Sequence, residues 1–225
     1  MKILLIEDEL HLGESINAYL KNEGYVCEWA KHFDDGDEKI AIYQYDCALV
    51  DITLPGGNGL ELVKIIKDTF PRTGIIIISA KNALDDKIRG LDLGADDYIT
   101  KPFHLAELNS RIKSVLRRRK FEGNKEVIFG EITIIPEEQL VNINNERVIL
   151  TKKEFDLLLF FVSNKNRVLT KEAIAEHLWG DHADMIDSFD FIYSHIKNLR
   201  KKLIEKGGND YVQTIYGMGY KFSLM

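Results

Sequence analysis

The chain has 225 residues, 45% hydrophobic and 29% charged, a globular composition long enough for one large or two ordinary domains. It carries 30 Lys and Arg against 36 Asp and Glu, a formal net charge of −6, which argues against a nucleic-acid partner unless basic residues gather locally. No apolar run approaches the ~18 residues that span a bilayer, and the early acidic residues of "MKILLIEDEL" exclude a signal peptide, so a cytoplasmic protein without membrane contact is expected.

Up to residue 119, short apolar runs alternate with longer amphipathic ones. Strands are expected at "KILLI" (2–6), "YVCEW" (25–29), "CALV" (47–50), "GIIIIS" (74–79) and "DYIT" (97–100). Each leads into a helical pattern, at about 9–22, 34–43, 58–69, 84–93 and 104–119. Nearly all-apolar strands separated by helices predict an α/β parallel sheet covered on both faces. Ligands of such sheets sit at the carboxyl ends of the strands, where strand order reverses. Cys27 and Cys47 fall in these strands without metal-ligand spacing and read as small buried residues.

The stretch "RRRKFEGNKE" (117–126) is polar and lacks apolar periodicity, so it reads as a join, with the linker itself at 120–126. From 127 to 225 the rhythm differs. Short extended runs broken by "PEEQ" and "NNE" occupy 127–150, helical patterns follow at 152–164, 171–178 and about 187–205, and "YVQTIYGMGYKF" reads as a hairpin around "YGMG".

Four of the first five strands end on polar groups: Glu7 and Asp8, Asp51, Ser79, and Lys101. Singly, each has an ordinary reading as a helix cap, a turn residue or a solvated charge. A parallel sheet brings all of them to one edge, and three carboxylates there repel one another unless a cation intervenes. Oxygen ligands without His or Cys point to Mg²⁺, and a lysine and a hydroxyl beside it are equipment for holding phosphoryl oxygens. Asp51 then serves as a nucleophile that becomes an aspartyl phosphate, and the following Pro55, Gly56, Gly57, Asn58 and Gly59 leave room for the incoming group.

The pattern at 187–205 answers the charge objection. Lys197, Arg200, Lys201, Lys202 and Lys206 stand against Glu205 alone, opposite an apolar stripe of Phe191, His195 or Ile192, Ile196, Leu199 and Leu203. Such a helix fits the DNA major groove.

"LIEDE", "ALVDITLPGGNGLELVK", "IISAK" and "GADDYITKPF" resemble the signature blocks of bacterial response-regulator receiver domains. "LTKKEFDLLLFFVSNKNRVLTKEAIAEHLWG", "SHIKNLRKKL" and "VQTIYGMGYKF" resemble the winged-helix domain of the OmpR/PhoB class. The resemblance implies a receiver (1–119) with a flavodoxin-like, doubly wound five-stranded sheet, then an α+β winged helix-turn-helix domain (127–225). It implies Mg²⁺ held by Asp8, Asp51 and the backbone carbonyl of Thr53, with Glu7 often acting through water, and a phosphoryl group passing from a sensor histidine kinase to Asp51. It makes Lys101 and Ser79 phosphoryl-stabilising, and Ser79 and Tyr98 the switch. It also implies a homodimer in which Lys87 pairs with Glu107, Asp97 with Arg111 and Asp96 with Arg118 across a two-fold axis. Promoter DNA and RNA polymerase are the implied partners. Many relatives have arginine where this chain has Asp190, Asn198 and Tyr216, which leaves Tyr193, Ser194, Lys197 and Asn198 facing bases, with His195, Arg200, Lys201, Thr214 and Tyr216 near the DNA backbone. Two rival readings are a regulator that binds DNA without phosphorylation and a phosphohydrolase acting through an aspartyl phosphate. The hydrolase normally has a second acid two residues after its nucleophile, where this chain has Thr53.

Overall fold

In the computed structural model, which describes residues 1–80, 84–121, 123–180 and 189–224, the apolar runs of the first unit pair in parallel. Strands β1 (Lys2–Ile6), β2 (Val26–Ala30), β3 (Cys47–Asp51), β4 (Gly74–Ala80) and β5 (Asp97–Lys101) lie in the order β2-β1-β3-β4-β5. Helices α1 (Leu10–Asn22), α2 (Phe33–Ile42), α3 (Gly59–Thr69), α4 (Leu84–Asp92) and α5 (Leu105–Phe121) connect and follow them.

Pleating sends alternate side chains to opposite faces. Ile3, Leu5, Leu49, Ile78 and Ile99 pack with Ile16 and Leu20 of α1 and with Leu108 and Ile112 of α5. Leu4, Ile6, Val50, Ile77 and Tyr98 pack with Ile40 of α2 and with Leu62, Val63 and Ile66 of α3. A strand buried on both faces has no polar position inside it, which is why these runs are almost wholly apolar. Cys27 and Cys47 are free and buried on either side of Ile3, and burial pushes the Cys27 thiol up to about 12.

The chain divides into two compact units, Met1–Gly123 and Asn124–Met225. The polar stretch after residue 117 is not all loop. Helix α5 continues to Phe121, which is buried, and Lys120 pairs with Asp46 at 2.8 Å. Tertiary contacts at both residues override the missing periodicity.

The loop after Asp51 also differs from expectation. Residues Thr53–Leu54 and Gly57–Asn58 form a small antiparallel ladder, and the Asn58 side chain caps α3 by accepting from the Leu60 N–H at 2.9 Å. A Cβ on Gly57 would lie 2.5 Å from the Phe33 ring, and one on Gly59 1.9 Å from the Asp51 carbonyl oxygen. These two glycines let the loop close against the protein itself, rather than clearing space for a ligand.

In the second unit, β6 (Val127–Phe129), β7 (Ile132–Ile135), β8 (Leu140–Ile143) and β9 (Glu146–Val148) form an antiparallel platform in the order β9-β8-β7-β6. Asn144 and Asn145, with φ of 51° and 68°, make the two-residue turn between β8 and β9. Among the described residues three α-helices follow: α6 (Lys152–Ser163), α7 (Lys171–Trp179) and α8 (Asp190–Glu205). The expected helix start at 187–188 lies outside the described residues. Strands β11 (Val212–Ile215) and β12 (Gly219–Phe222) form the expected hairpin, and a two-residue strand β10 (Val168–Leu169) pairs with β12. Phe129, Phe161, Tyr211 and Phe222 share one aromatic core. Helix α8 buries Ile192, Ile196, Leu199 and Leu203, so Ile192 takes the stripe position and His195 is half-buried beside Trp179.

Candidate functional site

Strand parity builds the site. Glu7 stands two residues after Leu5, Asp51 two after Leu49 and Lys101 two after Ile99, so all three extend one face of the sheet beyond its core. Strand order reverses between β1 and β3, where Glu7 and Asp51 meet. Lys101 Nζ lies 2.7 Å from Glu7 Oε1 and 2.6 Å from Asp51 Oδ2, and the exposed Thr53 donates its N–H to Asp51 Oδ1 at 3.0 Å. Glu7 is 0% and Asp51 5% exposed, whereas Asp8 is exposed. Carboxylate oxygens of Glu7, Asp8 and Asp51 lie within 4.8 Å of one another. Neither Glu7 nor Asp8 caps α1, whose N-cap is Glu9 without a side-chain bond.

One lysine does not neutralise this cluster. Burial pushes Glu7 up to about 7 even though Lys101 bonds to it, and the Asp51 charge adds to the rise. Among the described residues Glu7 Oε2 is buried with no hydrogen-bond partner. A buried lone pair among three hard carboxylates fits a divalent cation such as Mg²⁺. Burial opposes the charge on Lys101, but its bonds to Asp51 and Glu7 hold its pKa above the ordinary value.

Ser79 follows the other parity, two residues after Ile77, and shares its face with Tyr98; both are buried. Lys87 is exposed on α4, its Nζ 5.4 Å from the Tyr98 ring centroid. Within one chain Arg111 holds both oxygens of Asp97 at 3.0 Å and also Glu107 at 2.9 Å. The Asp96 carboxylate is taken by Arg119 at 2.5 Å, Lys67 at 3.3 Å and the Ile75 N–H at 2.9 Å. Arg118 donates to the Asp96 carbonyl at 3.2 Å, not to its carboxylate, and to Ser114 Oγ at 2.9 Å.

A second surface belongs to α8 and the hairpin. Tyr193, Ser194, Lys197, Asn198 and Lys201 form the exposed face of α8, while Thr214 is exposed on β11 and Tyr216 is 100% exposed at the hairpin tip. The basic run is less free than its sequence suggests. Arg200 makes a two-pronged pair with Asp210, Lys202 reaches Glu154 at 2.6 Å, Lys206 reaches Glu146 at 3.2 Å, and Lys201 reaches Glu205 at 3.6 Å. Among the described residues Lys197 has no ion-pair partner. Asp210 and Glu154 escaped the sequence reading because long-range pairs leave no periodic signal.

Glu154 closes a capping box with Thr151 and is 3% exposed. Burial raises its pKa, but bonds from Lys202 and Thr151 outweigh burial and hold it below the ordinary value. Its contribution is therefore present above the ordinary carboxylate range and lost as pH falls through the lowered value. Glu154→Ala is expected to cost about 2–3 kcal/mol, by losing a cap and a charged hydrogen bond. Faster amide exchange across α6 in the full chain checks this, with the deficit shrinking at acid pH.

The sequence comparisons agree on the two units. Residues 3–113 match the response regulator receiver domain family, and residues 145–222 match the family of transcriptional regulatory protein C-terminal domains. The chain is 36% identical over 225 residues to the cell cycle response regulator CtrA of Brucella ovis, covering 98% of this chain and 94% of that one. It is 32% identical over 220 residues to the transcriptional regulatory protein QseB of Escherichia coli O157:H7, covering 98% of each. The chain is a response regulator of the OmpR/PhoB class. A solved structure of the same class, DrrB of Thermotoga maritima, is 28% identical over 99% of both chains, with a TM-score of 0.48. This response regulator is thus a DNA-binding transcriptional regulator of the two-component kind and not an enzyme, which removes the phosphohydrolase reading. Among the described residues no helix is long and apolar enough to cross a membrane.

Proposed function

We propose that this response regulator accepts a phosphoryl group on Asp51 from a sensor histidine kinase in the cytoplasm, dimerises, and binds tandem DNA half-sites. The observation that carries the reading is the Glu7, Asp8, Asp51 and Lys101 cluster at the strand-order reversal. Asp51 attacks the phosphorus in line, forming the Asp51 oxygen–phosphorus bond as the phosphorus–nitrogen bond to the donor imidazole breaks and the imidazole takes up a proton. Asp8, Asp51, the Thr53 carbonyl and Glu7 are the residues that would hold Mg²⁺, which when bound neutralises charge on the transferring group. Lys101 turns from the Asp51 carboxylate to a phosphoryl oxygen, and Ser79 donates to another. Tyr98, on the Ser79 face, reports that movement to α4 and β5.

Dimerisation exchanges pairs that are satisfied within one chain. Arg111 already holds Asp97 and Glu107, and Arg119 rather than Arg118 holds the Asp96 carboxylate. Cross-dimer pairs of Lys87 with Glu107, Asp97 with Arg111 and Asp96 with Arg118 therefore replace existing bonds, and each exposed pair adds little by itself. The dimer acts mainly by raising the local concentration of the second DNA-binding unit. Tyr193, Ser194, Lys197 and Asn198 face bases, with His195, Lys201, Thr214 and Tyr216 near the backbone; Arg200, held by Asp210, is the weakest of the expected contacts. RNA polymerase is the further partner of the bound dimer.

The test is molar mass by light scattering with DNA affinity in parallel. Acetyl phosphate with Mg²⁺ is expected to shift wild type from monomer to dimer and tighten binding to a tandem site at least tenfold, in the range that linking two binding modules gives. Asp51→Asn is expected to stay monomeric and unchanged. A wild type that binds equally tightly with and without phosphoryl donor contradicts the switch.

A further inference from the structure

We propose that Trp29 is a positioning residue for the acidic edge, its indole N–H fixing the Glu7–Asp8 peptide and so aiming Asp8 into the cation site. The inference deepens the Mg²⁺ reading above and rests on it.

Asp8 is the exposed member of the carboxylate cluster, and among the described residues its side chain has no hydrogen-bond or ion-pair partner. Glu7 and Asp51, by contrast, are each gripped by Lys101. A carboxylate without side-chain partners is aimed by its own backbone. That backbone lies beyond the end of β1, where the regular ladder stops. Two bonds from the end of β2 hold it there. The Glu7 N–H donates to the Ala30 carbonyl at 3.1 Å, and the Trp29 indole N–H donates to the Glu7 carbonyl at 2.8 Å. The second belongs to a side chain, and it fixes the plane of the peptide that leads into Asp8.

The indole is itself held. A Cβ on Gly13 would stand 2.2 Å from Trp29 Cζ2, so α1 approaches the ring this closely only because residue 13 is glycine. Lys31 Nζ lies over the ring, 4.8 Å from its centroid. Trp29 thus sits between the start of α1 and the end of β1 and ties the Glu7, Asp8 and Glu9 turn to the sheet. Partners that orient a metal ligand typically govern affinity tenfold or more.

The test replaces Trp29 by phenylalanine and, separately, by benzothienylalanine, which keeps the shape of the indole but puts sulfur in place of its N–H. Mg²⁺ alone is titrated by calorimetry into the full-length wild type, both variants and Asp51→Asn. The expected result is a dissociation constant about tenfold weaker for both Trp29 variants, with the metal-free thermal midpoint of the benzothienylalanine variant unchanged. The Mg²⁺ concentration for half-maximal labelling by acetyl phosphate should rise by the same factor, while the rate at saturating Mg²⁺ stays at the wild-type value. A benzothienylalanine variant that binds Mg²⁺ as wild type does overturns the role of Trp29 alone. A wild type whose Mg²⁺ binding is absent, or matches that of Asp51→Asn, overturns the cation reading and this inference with it.

Discussion

Lys101→Met is expected to destabilise the metal-free receiver unit by about 3 kcal/mol at pH 8. Its ammonium is the cation within 2.7 Å of both Glu7 and Asp51, which are 0% and 5% exposed. Removing one partner of a buried charge group leaves the other charges uncompensated, a loss of about 3–5 kcal/mol when burial is complete. Lys101 is itself part-exposed, which places the cost at the lower end. The pH dependence has a definite sign. The folded-state pKa of Glu7 is already raised to about 7, so its contribution to stability is fully present below the ordinary value of 4.5 and is lost as pH rises through 7. Without Lys101 that rise grows, because the bond that lowers it is gone. The variant should therefore lie close to wild type at pH 5 and fall well below it at pH 8, and millimolar Mg²⁺ should recover most of the deficit. Thermal unfolding of the full chain at both pH values, with and without Mg²⁺, checks this. A deficit independent of pH and of Mg²⁺ would mean that Lys101 acts by packing.

On DNA the largest effects are expected at Lys197 and Asn198, and they should differ in kind. Asn198→Ala should cost about 1–3 kcal/mol on the specific site and little on random duplex, because an amide that pairs with a base edge carries sequence information. Lys197→Ala should also weaken the specific site, and because it removes a positive charge from the base-facing surface it should weaken random duplex as well and lower the salt slope by about one. Lys202→Ala is the control. Its ammonium is committed to Glu154 at 2.6 Å, so it should loosen α6 against α8 and leave the salt slope alone. Binding measured from 50 to 200 mM salt separates the three. A slope change at Lys202 but none at Lys197 would place the DNA face elsewhere on the unit.

Much of this was legible in the sequence because two-sided burial leaves little choice. Runs such as "KILLI" and "GIIIIS" have no polar position to spare, so the first carboxylate, hydroxyl or ammonium after each marks a strand end. Glu7, Asp51 and Lys101 converge for that reason, with pleat parity adding that they share a face and that Ser79 joins Tyr98 on the other. The stripe of α8 was legible in part: Ile196, Leu199 and Leu203 are buried as expected, whereas Phe191 and His195 are half-buried against Trp179 and Ile192 takes the buried position. Contacts that link distant residues without a repeating pattern were not. Trp29 reads as an ordinary strand aromatic until its N–H is found on the Glu7 carbonyl. Arg200, Lys202 and Lys206 read as a free basic face until Asp210, Glu154 and Glu146 are found opposite them. The glycines after Asp51 read as open space, yet Gly59 is required by the Asp51 carbonyl itself.

Asp51 is the proposed phosphoryl acceptor, and a transferred phosphoryl group is read from intact mass. Full-length wild type and Asp51→Asn are incubated with acetyl phosphate, each with Mg²⁺ and with chelator. One added phosphoryl mass is expected on wild type with Mg²⁺, and none on wild type with chelator or on Asp51→Asn under either condition. An adduct of equal yield on Asp51→Asn, or no adduct on wild type with Mg²⁺, would contradict it.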